Sequence, residues 1–200
     1  MTAICIHIVG LGPGAPGQLT AESRELLSSE LPVLLRTRHH PVVESVPGLA
    51  QADDCDDLYA RGGSFDDVYA AIAGRVMEWA GTGPLVFAVP GHPLVAEESV
   101  ARVIEKARAA QVSFLVYPAV SFVDVAAVAL ERDLGTVQIC DALDLRIDTW
   151  RPALISQVYD RDRVTALKLR LLEMYPAAHP VTVLSALGTA EESTRTVTLS

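Results

Sequence analysis

No stretch of this 200-residue chain is apolar for anything near the about 18 residues that a membrane-spanning helix needs. Even its most hydrophobic region, residues 112–130, is broken by Ser113, Pro118, Ser121 and Asp124. The opening Met1-Thr2-Ala3-Ile4 lacks the basic region and cleavage site of a secretory signal. Basic clusters are missing too. Lys and Arg number 16 against 25 Asp and Glu, a formal charge of −9, so counterion release, which drives nucleic-acid binding, has no cationic patch to act through. Cysteine is scarce: Cys5, Cys55 and Cys140 are odd in number, far apart and without a C-x-x-C. That pattern argues against a disulfide framework or a zinc site and for three reduced thiols. The expectation is a soluble cytoplasmic protein with no membrane and no nucleic acid among its partners.

Several catalytic signatures are absent as well. No G-K-[ST] follows a glycine loop, which argues against a P-loop. Ser121 stands outside any G-x-S-x-G elbow, which argues against a serine hydrolase. Glu97-Glu98 and Glu191-Glu192 read as surface pairs and do not repeat as the ExxE and ExxD of magnesium-dependent nucleotide pyrophosphohydrolases. His39-His40 with Glu44 falls far short of a metal coordination sphere. Residues 53–57, Asp-Asp-Cys-Asp-Asp, read as a solvated acidic edge because no further ligands accompany them.

What is present is regular. Half the residues are hydrophobic, enough for the core of one large domain or two small ones. Residues 3–9, mostly β-branched, predict a first strand. A loop rich in Gly and Pro follows over residues 10–17, then Thr20 as the N-cap of a helix to residue 29 and a strand at 31–35. Strand, glycine-rich loop, helix, strand is a βαβ unit, which implies a parallel sheet. A short helix is expected within 41–49. Over 65–80, Phe65, Val68, Tyr69, Ile72, Val76 and Trp79 share one helical face. Leu85-Val86-Phe87-Ala88-Val89 reads as a buried strand, Pro90-Gly91-His92-Pro93 as a forced turn, and 95–109 as a helix with Val95, Val100, Val103, Ile104 and Ala107 at helical spacing. A strand at 112–117 ends in Pro118-Ala119-Val120-Ser121 and a helix at 122–130. Four strands alternating with helices make a doubly wound α/β half, and such sheets bind ligands beyond the carboxyl ends of their strands.

After Asp133-Leu134-Gly135 the rhythm changes: strands are expected at 137–140, 152–159, 181–186 and 194–199, with one helix at 164–174. A domain boundary is therefore placed near Asp133. Ending on a strand-like segment suggests a chain that continued further.

The loop Gly12-Pro13-Gly14-Ala15-Pro16-Gly17 satisfies G-x-G-x-x-G literally. A dinucleotide loop offers backbone N–H groups to a pyrophosphate, yet Pro13 and Pro16 remove two donors. Arg36-Thr37-Arg38 stands where a ribose-binding carboxylate belongs. Arginine suits a 2′-phosphate, which keeps a nicotinamide oxidoreductase open as a minor alternative.

Taken together, Gly10-Leu11-Gly12-Pro13-Gly14, Pro90-Gly91-His92-Pro93, Pro118-Ala119-Val120-Ser121 and the two-part plan resemble the tetrapyrrole (corrin/porphyrin) methylases, the class III S-adenosylmethionine-dependent methyltransferases. More narrowly, the segments 35–44 (LRTRHHPVVE), 64–69 (SFDDVY) and 89–97 (VPGHPLVAE) resemble methylase-like domains fused ahead of a MazG-type nucleotide pyrophosphohydrolase, as do Gln157-Val158-Tyr159-Asp160, Lys168-Leu169, Tyr175-Pro176 and 179–183 (HPVTV). The resemblance runs in order along nearly the whole chain and implies that the MazG domain is not carried by these residues. It implies two α/β domains of the tetrapyrrole methylase type, 1–133 with the glycine-rich loop and the Pro-Gly-His-Pro turn and a smaller 134–200, with the cofactor cleft between them. Two segments depart from the pattern. Most of the wider family has G-D-P where this chain has Gly91-His92-Pro93, and Glu131-Arg132-Asp133-Leu134-Gly135 replaces a glycine- and proline-containing stretch. The first puts in question contacts through that side chain but not through backbone atoms.

Carried over by position, the resemblance assigns S-adenosylmethionine contacts to Pro13, to Pro90, Gly91, His92 and Val95, to Ser121 and Phe122, to Val158 on a second-domain strand, and to Ala186 near the end of its neighbour. It also implies a homodimer. Methyl transfer from a sulfonium mainly needs its reactants oriented. If the acceptor must lose a proton, His92, Tyr159 and His40 are candidate bases by position. The expected function is S-adenosylmethionine-dependent methyl transfer to an unidentified small-molecule acceptor. The competing expectation is a catalytically silent S-adenosylmethionine-binding or regulatory module that serves a MazG-type pyrophosphohydrolase, in the same chain or in trans.

Overall fold

All five side chains of Leu85–Val89 are apolar and fully buried, as expected of a strand covered on both faces. This strand, β4, organises the sheet. The computed structural model describes residues 4–61 and 64–200; the expected start of the first strand at Ala3 lies outside them. In chain order the elements are β1 (Ile6–Gly10), α1 (Ala21–Leu27), β2 (Val33–Leu35), α2 (Pro41–Ser45), β3 (Asp53–Asp54), α3 (Asp56–Ala60), α4 (Phe65–Ala80), the strand β4, α5 (Glu98–Ala109) and β5 (Phe114–Val116). The sheet has the order β3-β2-β4-β1-β5 and every pairing is parallel.

Alternation along the strands sends side chains to two cores. Ile6, Ile8, Leu34, Leu85, Phe87 and Val89 pack with Val68, Ile72 and Val76 of α4 and Val100 and Val103 of α5. Val9, Leu35, Val86 and Ala88 face the other way, onto Leu27 of α1 and Val42 and Val43 of α2. Each fully buried Val, Leu, Ile or Phe among them contributes about 1.5–3 kcal/mol. With right-handed crossovers, α1 and α2 carry the chain outward from β1 to β3 on one face, and α4 and α5 return it to β5 on the other. Adjacent strands β1 and β4 therefore send their connections in opposite directions, and the ligand-binding crevice of such a sheet lies at the carboxyl ends of that pair.

Local chemistry sets the boundaries. The Thr20 hydroxyl caps α1, accepting the Ser23 N–H at 3.2 Å. The helix expected from Val95 starts at Glu98, because Ala96 has φ 54, outside helical space, and Glu97 serves as the N-cap. The acidic edge at 53–57 is an arginine-paired corner: Asp54 pairs with Arg38, and Asp57 with Arg61 and Arg75.

The chain divides into two compact units, Met1–Phe122 and Val123–Ser200, so the division falls within α6 (Phe122–Ala129), ahead of the expected Asp133. The second unit contains β6 (Gln138–Asp141) parallel to β7 (Ala153–Ser156), α7 (Arg161–Leu172), and an antiparallel hairpin of β8 (Pro180–Ser185) and β9 (Ser193–Thr198). Its core is small: Cys140, Leu145, Leu167, Leu171 and Leu199. Two expectations need correction. The strand expected over 152–159 stops at Ser156, where Gln157 turns to φ 64, so Val158 lies on the following loop and is exposed. The strands that precede Val158 and Ala186 are not paired neighbours, since β7 pairs with β6 and β8 with β9.

Candidate functional site

Gly10 ends β1 where nothing larger fits. A Cβ there would lie 2.3 Å from the Gly91 carbonyl oxygen, 2.5 Å from Ala119 Cβ and 3.0 Å from Pro93 Cδ. Three chain segments therefore close on one point: the glycine-rich loop after β1, the turn after β4 and the segment after β5. Two hydrogen bonds stitch the first pair together. The Gly12 N–H donates to the Gly91 carbonyl at 3.2 Å, and the Gly91 N–H to the Gly12 carbonyl at 2.8 Å. Both glycines have positive φ, 75 and 68, which only glycine adopts without strain. The position where a Cβ of Gly91 would stand is open, with no atom within 4 Å.

This geometry removes the dinucleotide alternative. The Gly12 N–H that would face a phosphate is engaged by Gly91, and the loop leads into a short 3-10 turn at Pro16–Gln18 rather than into a helix. The two arginines are engaged as well. The Arg38 guanidinium binds Asp54 and the carbonyls of Ala50 and Ala52 at 3.0 and 3.1 Å, and Arg36 pairs with Glu97 at 3.4 Å.

Of the residues expected at the site, Pro90, Gly91, His92 and Val95 share the turn after β4, all half-buried. Val95 is held there by its N–H to the His92 carbonyl at 3.1 Å, so it belongs to the turn and not to a helix. Pro13, also half-buried, follows the stitched Gly12, and Ser121, buried, with Phe122 follows Ala119. Val158 and Ala186 belong to the second unit, each just beyond a strand end where the backbone turns to positive φ at Gln157 and at Ala186 itself.

The imidazoles have structural employment. His92 Nδ1 accepts the Leu94 N–H at 3.0 Å, bracing its own turn. His40 Nδ1 accepts the Val42 N–H at 3.3 Å as the N-cap of α2, so Nε2 carries the proton and donates to the Gly12 carbonyl at 3.0 Å. Burial holds the His40 imidazole below its ordinary value, consistent with this neutral form. Both His40 nitrogens are occupied, which removes it from the candidate bases. Among the described residues, no group of three or more His, Cys, Asp or Glu side chains comes together as metal ligands.

The sequence reading missed a buried polar cluster beneath the turn. Glu97 is not on the surface: its side chain is 5% exposed. Its Oε1 accepts the Ser99 N–H and hydroxyl at 3.2 and 2.6 Å, and Oε2 faces Arg36. The Arg36 guanidinium lies 5.8 Å over the Tyr59 ring and 5.7 Å over the Tyr69 ring. Burial pushes the Glu97 carboxyl up while Arg36 and Ser99 pull it back, and burial pushes Tyr59 to about 12. One signal was available in the sequence: Arg36 directly follows an apolar strand, at the same sheet edge as Gly10 and Pro90.

Comparison with known proteins follows the same lines. The family model for tetrapyrrole (corrin/porphyrin) methylases matches residues 5–200. An uncharacterized protein of Bacillus subtilis (strain 168), YabN, is 34% identical over 199 residues, covering 97% of this chain and 41% of the relative. The chain thus spans well under half the length of that relative. Among solved structures, a uroporphyrin-III C-methyltransferase from Thermus thermophilus is similar with a TM-score of 0.71 at 23% identity, covering 98% of this chain and 86% of the other. A structure of uroporphyrin-III C-methyltransferase from the same organism, complexed with S-adenosyl homocysteine, gives 0.68 at 20% identity, covering 98% and 83%.

Proposed function

The chain belongs to the tetrapyrrole (corrin/porphyrin) methylase family, and from that premise we propose that it is an S-adenosylmethionine-dependent methyltransferase acting on a small-molecule acceptor. The observation that carries this reading is the pair of loops stitched through Gly12 and Gly91 at the switch between β1 and β4, with the Gly91 face open. The residues fit such a ligand. Half-buried Pro13, Pro90 and Val95 offer apolar contact, the open Gly91 face lets a ligand approach the backbone, and no Lys or Arg stands among the proposed contacts to repel a sulfonium.

When bound, S-adenosylmethionine supplies an electrophilic methyl group. The chain's own work is to orient. Pro90 and Pro93 fix their φ angles, and the two Gly12–Gly91 hydrogen bonds hold the turn against the first loop, so little ordering is left for binding. Ser121 and Phe122 join from the segment that closes on Gly10. By the family pattern, Val158 and Ala186 are further proposed contacts. His92, through Nε2, and Tyr159 are the candidate bases should the acceptor need to lose a proton.

The second reading, a binding or regulatory module without turnover, is favoured by the employment of the imidazoles: His40 is fully engaged and His92 braces its own turn. In this reading a MazG-type pyrophosphohydrolase is the partner, in the same chain or in trans; the motif resemblance supports it. A homodimer in the cytoplasm is the proposed setting for both, and sedimentation of the purified chain tests the dimer. Calorimetric titration with S-adenosylmethionine and S-adenosylhomocysteine tests the shared core of the two readings. Micromolar binding that is lost in Gly91→Leu supports it, and no binding of either ligand to the folded protein overturns it. Release of S-adenosylhomocysteine during turnover with candidate tetrapyrrole acceptors separates the first reading from the second.

A further inference from the structure

Arg36 and Glu97 come from different crossover connections, one following β2 and the other ending the turn after β4, and they meet beneath that turn at 3.4 Å with side chains 20% and 5% exposed. Glu97 is joined to both ends of what it controls. Through Oε1 it caps α5 at Ser99, and it directly follows Ala96, whose φ of 54 is strained for a residue with a Cβ. The arginine is held in turn by the two tyrosine rings, from α3 and α4. Arg36 Nε and the Tyr59 hydroxyl are both buried beside one another. The guanidinium faces the Glu97 carboxylate, the Tyr59 hydroxyl and the two aromatic rings.

We propose that Arg36 is a positioning residue for the ligand site: by pairing with Glu97 it keeps that residue an ionised cap, and the cap fixes the far end of the turn, residues 90–97, that presents Gly91 and His92. The proposal rests on the reading that this turn contacts the cofactor. A charge-assisted cap is about twice as strong as a neutral one, and a carboxylate this deeply buried without its cation takes up a proton instead. The groups facing Glu97 are Arg36 after β2, Tyr59 from α3 and Tyr69 from α4 through the arginine, and Glu98 and Ser99 at the start of α5. Glu98 opposes ionisation and itself pairs with Arg102. Burial already raises the Glu97 carboxyl, and removing Arg36 raises it further.

The test is calorimetric titration of S-adenosylhomocysteine from about pH 5 to about pH 8.5 into the wild-type chain, Arg36→Met, Arg36→Lys, Glu97→Gln and the Met/Gln double variant. Wild-type affinity falls at the acid end. Arg36→Met shifts that fall to higher pH and weakens binding about tenfold where Glu97 is protonated in the variant but not in the wild type, whereas Arg36→Lys keeps it near the wild-type position. Glu97→Gln still accepts the Ser99 N–H through its amide oxygen and flattens the fall; placed on Arg36→Met, it abolishes the shift. Because His40 titrates on the same side, the Gln variant assigns the effect to Glu97. An acid limb unmoved by Arg36→Met, or one that persists unchanged in Glu97→Gln, overturns the proposal. If no variant and not even the wild type binds, the cofactor reading fails. Hydrogen exchange at the Ser99 amide then judges the pair alone: protection lost at higher pH in Arg36→Met than in the wild type upholds the cap, and identical pH dependence overturns it.

Discussion

Gly10 and Gly91 sit at the same convergence of loops but are glycine for different reasons. A Cβ on Gly10 collides with the Gly91 carbonyl and the side chain of Ala119, whereas one on Gly91 meets only open space and is disfavoured by its φ of 68 alone. Gly10→Ala should therefore cost about 2–3 kcal/mol of stability and Gly91→Ala about 1–2 kcal/mol, with the order read from urea unfolding midpoints. Ligand affinity is expected to respond to Gly91→Leu in a protein that still folds. His40 yields a pH prediction with a definite sign. Burial lowers its imidazole in the native state, so the unfolded chain binds that proton first. Stability is full above the ordinary imidazole range, near about 6.5, and declines as pH falls through it toward the depressed native value. His7, also lowered by burial, acts in the same direction. His40→Asn keeps an N-cap residue for α2 but cannot titrate, so its unfolding free energy should fall less steeply over that range, while an unchanged slope would remove His40 from the account.

At the scale of elements, what could be read from the sequence depended on whether the cause was local. Thr20 as the cap of α1 and the helix Phe65–Ala80 follow from neighbouring residues, and both are found where expected. Thr20→Ala should lose about 1 kcal/mol by losing the Ser23 bond, measured as a shift in thermal midpoint without a change in the site's geometry. The start of α5 was misplaced because helical spacing extends back to Val95, while Ala96 takes a positive φ that spacing cannot reveal. Glu97 was misread for a related reason. Beside Glu98 in sequence it looks like one half of a surface pair, yet Arg36, 61 residues earlier, takes it into the interior. In the second unit the strands were legible from their apolar residues but their pairing was not, since β6–β7 and β8–β9 form separate ladders that no short-range signal specifies.

For the whole molecule, the parallel arrangement of the first unit was legible from strands alternating with helices, and β4 from an apolar run without a polar break. The strand order was not, because it depends on which face each crossover covers. That order brings the glycine-rich loop beside the Pro-Gly-His-Pro turn, and it sets the site at the carboxyl edge of the sheet. A rival surface exists at the opposite edge, where a groove is lined by Leu27, Leu31, Val33, Pro47, Leu49 and Ala52. The most direct measurement of where the ligand binds is titration of ¹⁵N-labelled protein with S-adenosylhomocysteine, followed by amide shifts. The account predicts saturable changes concentrated at Gly12, Gly91, His92, Leu94 and Ser121, and none along the groove. Saturable binding whose shifts fall on the groove, with Gly12 and Gly91 unmoved, would contradict it.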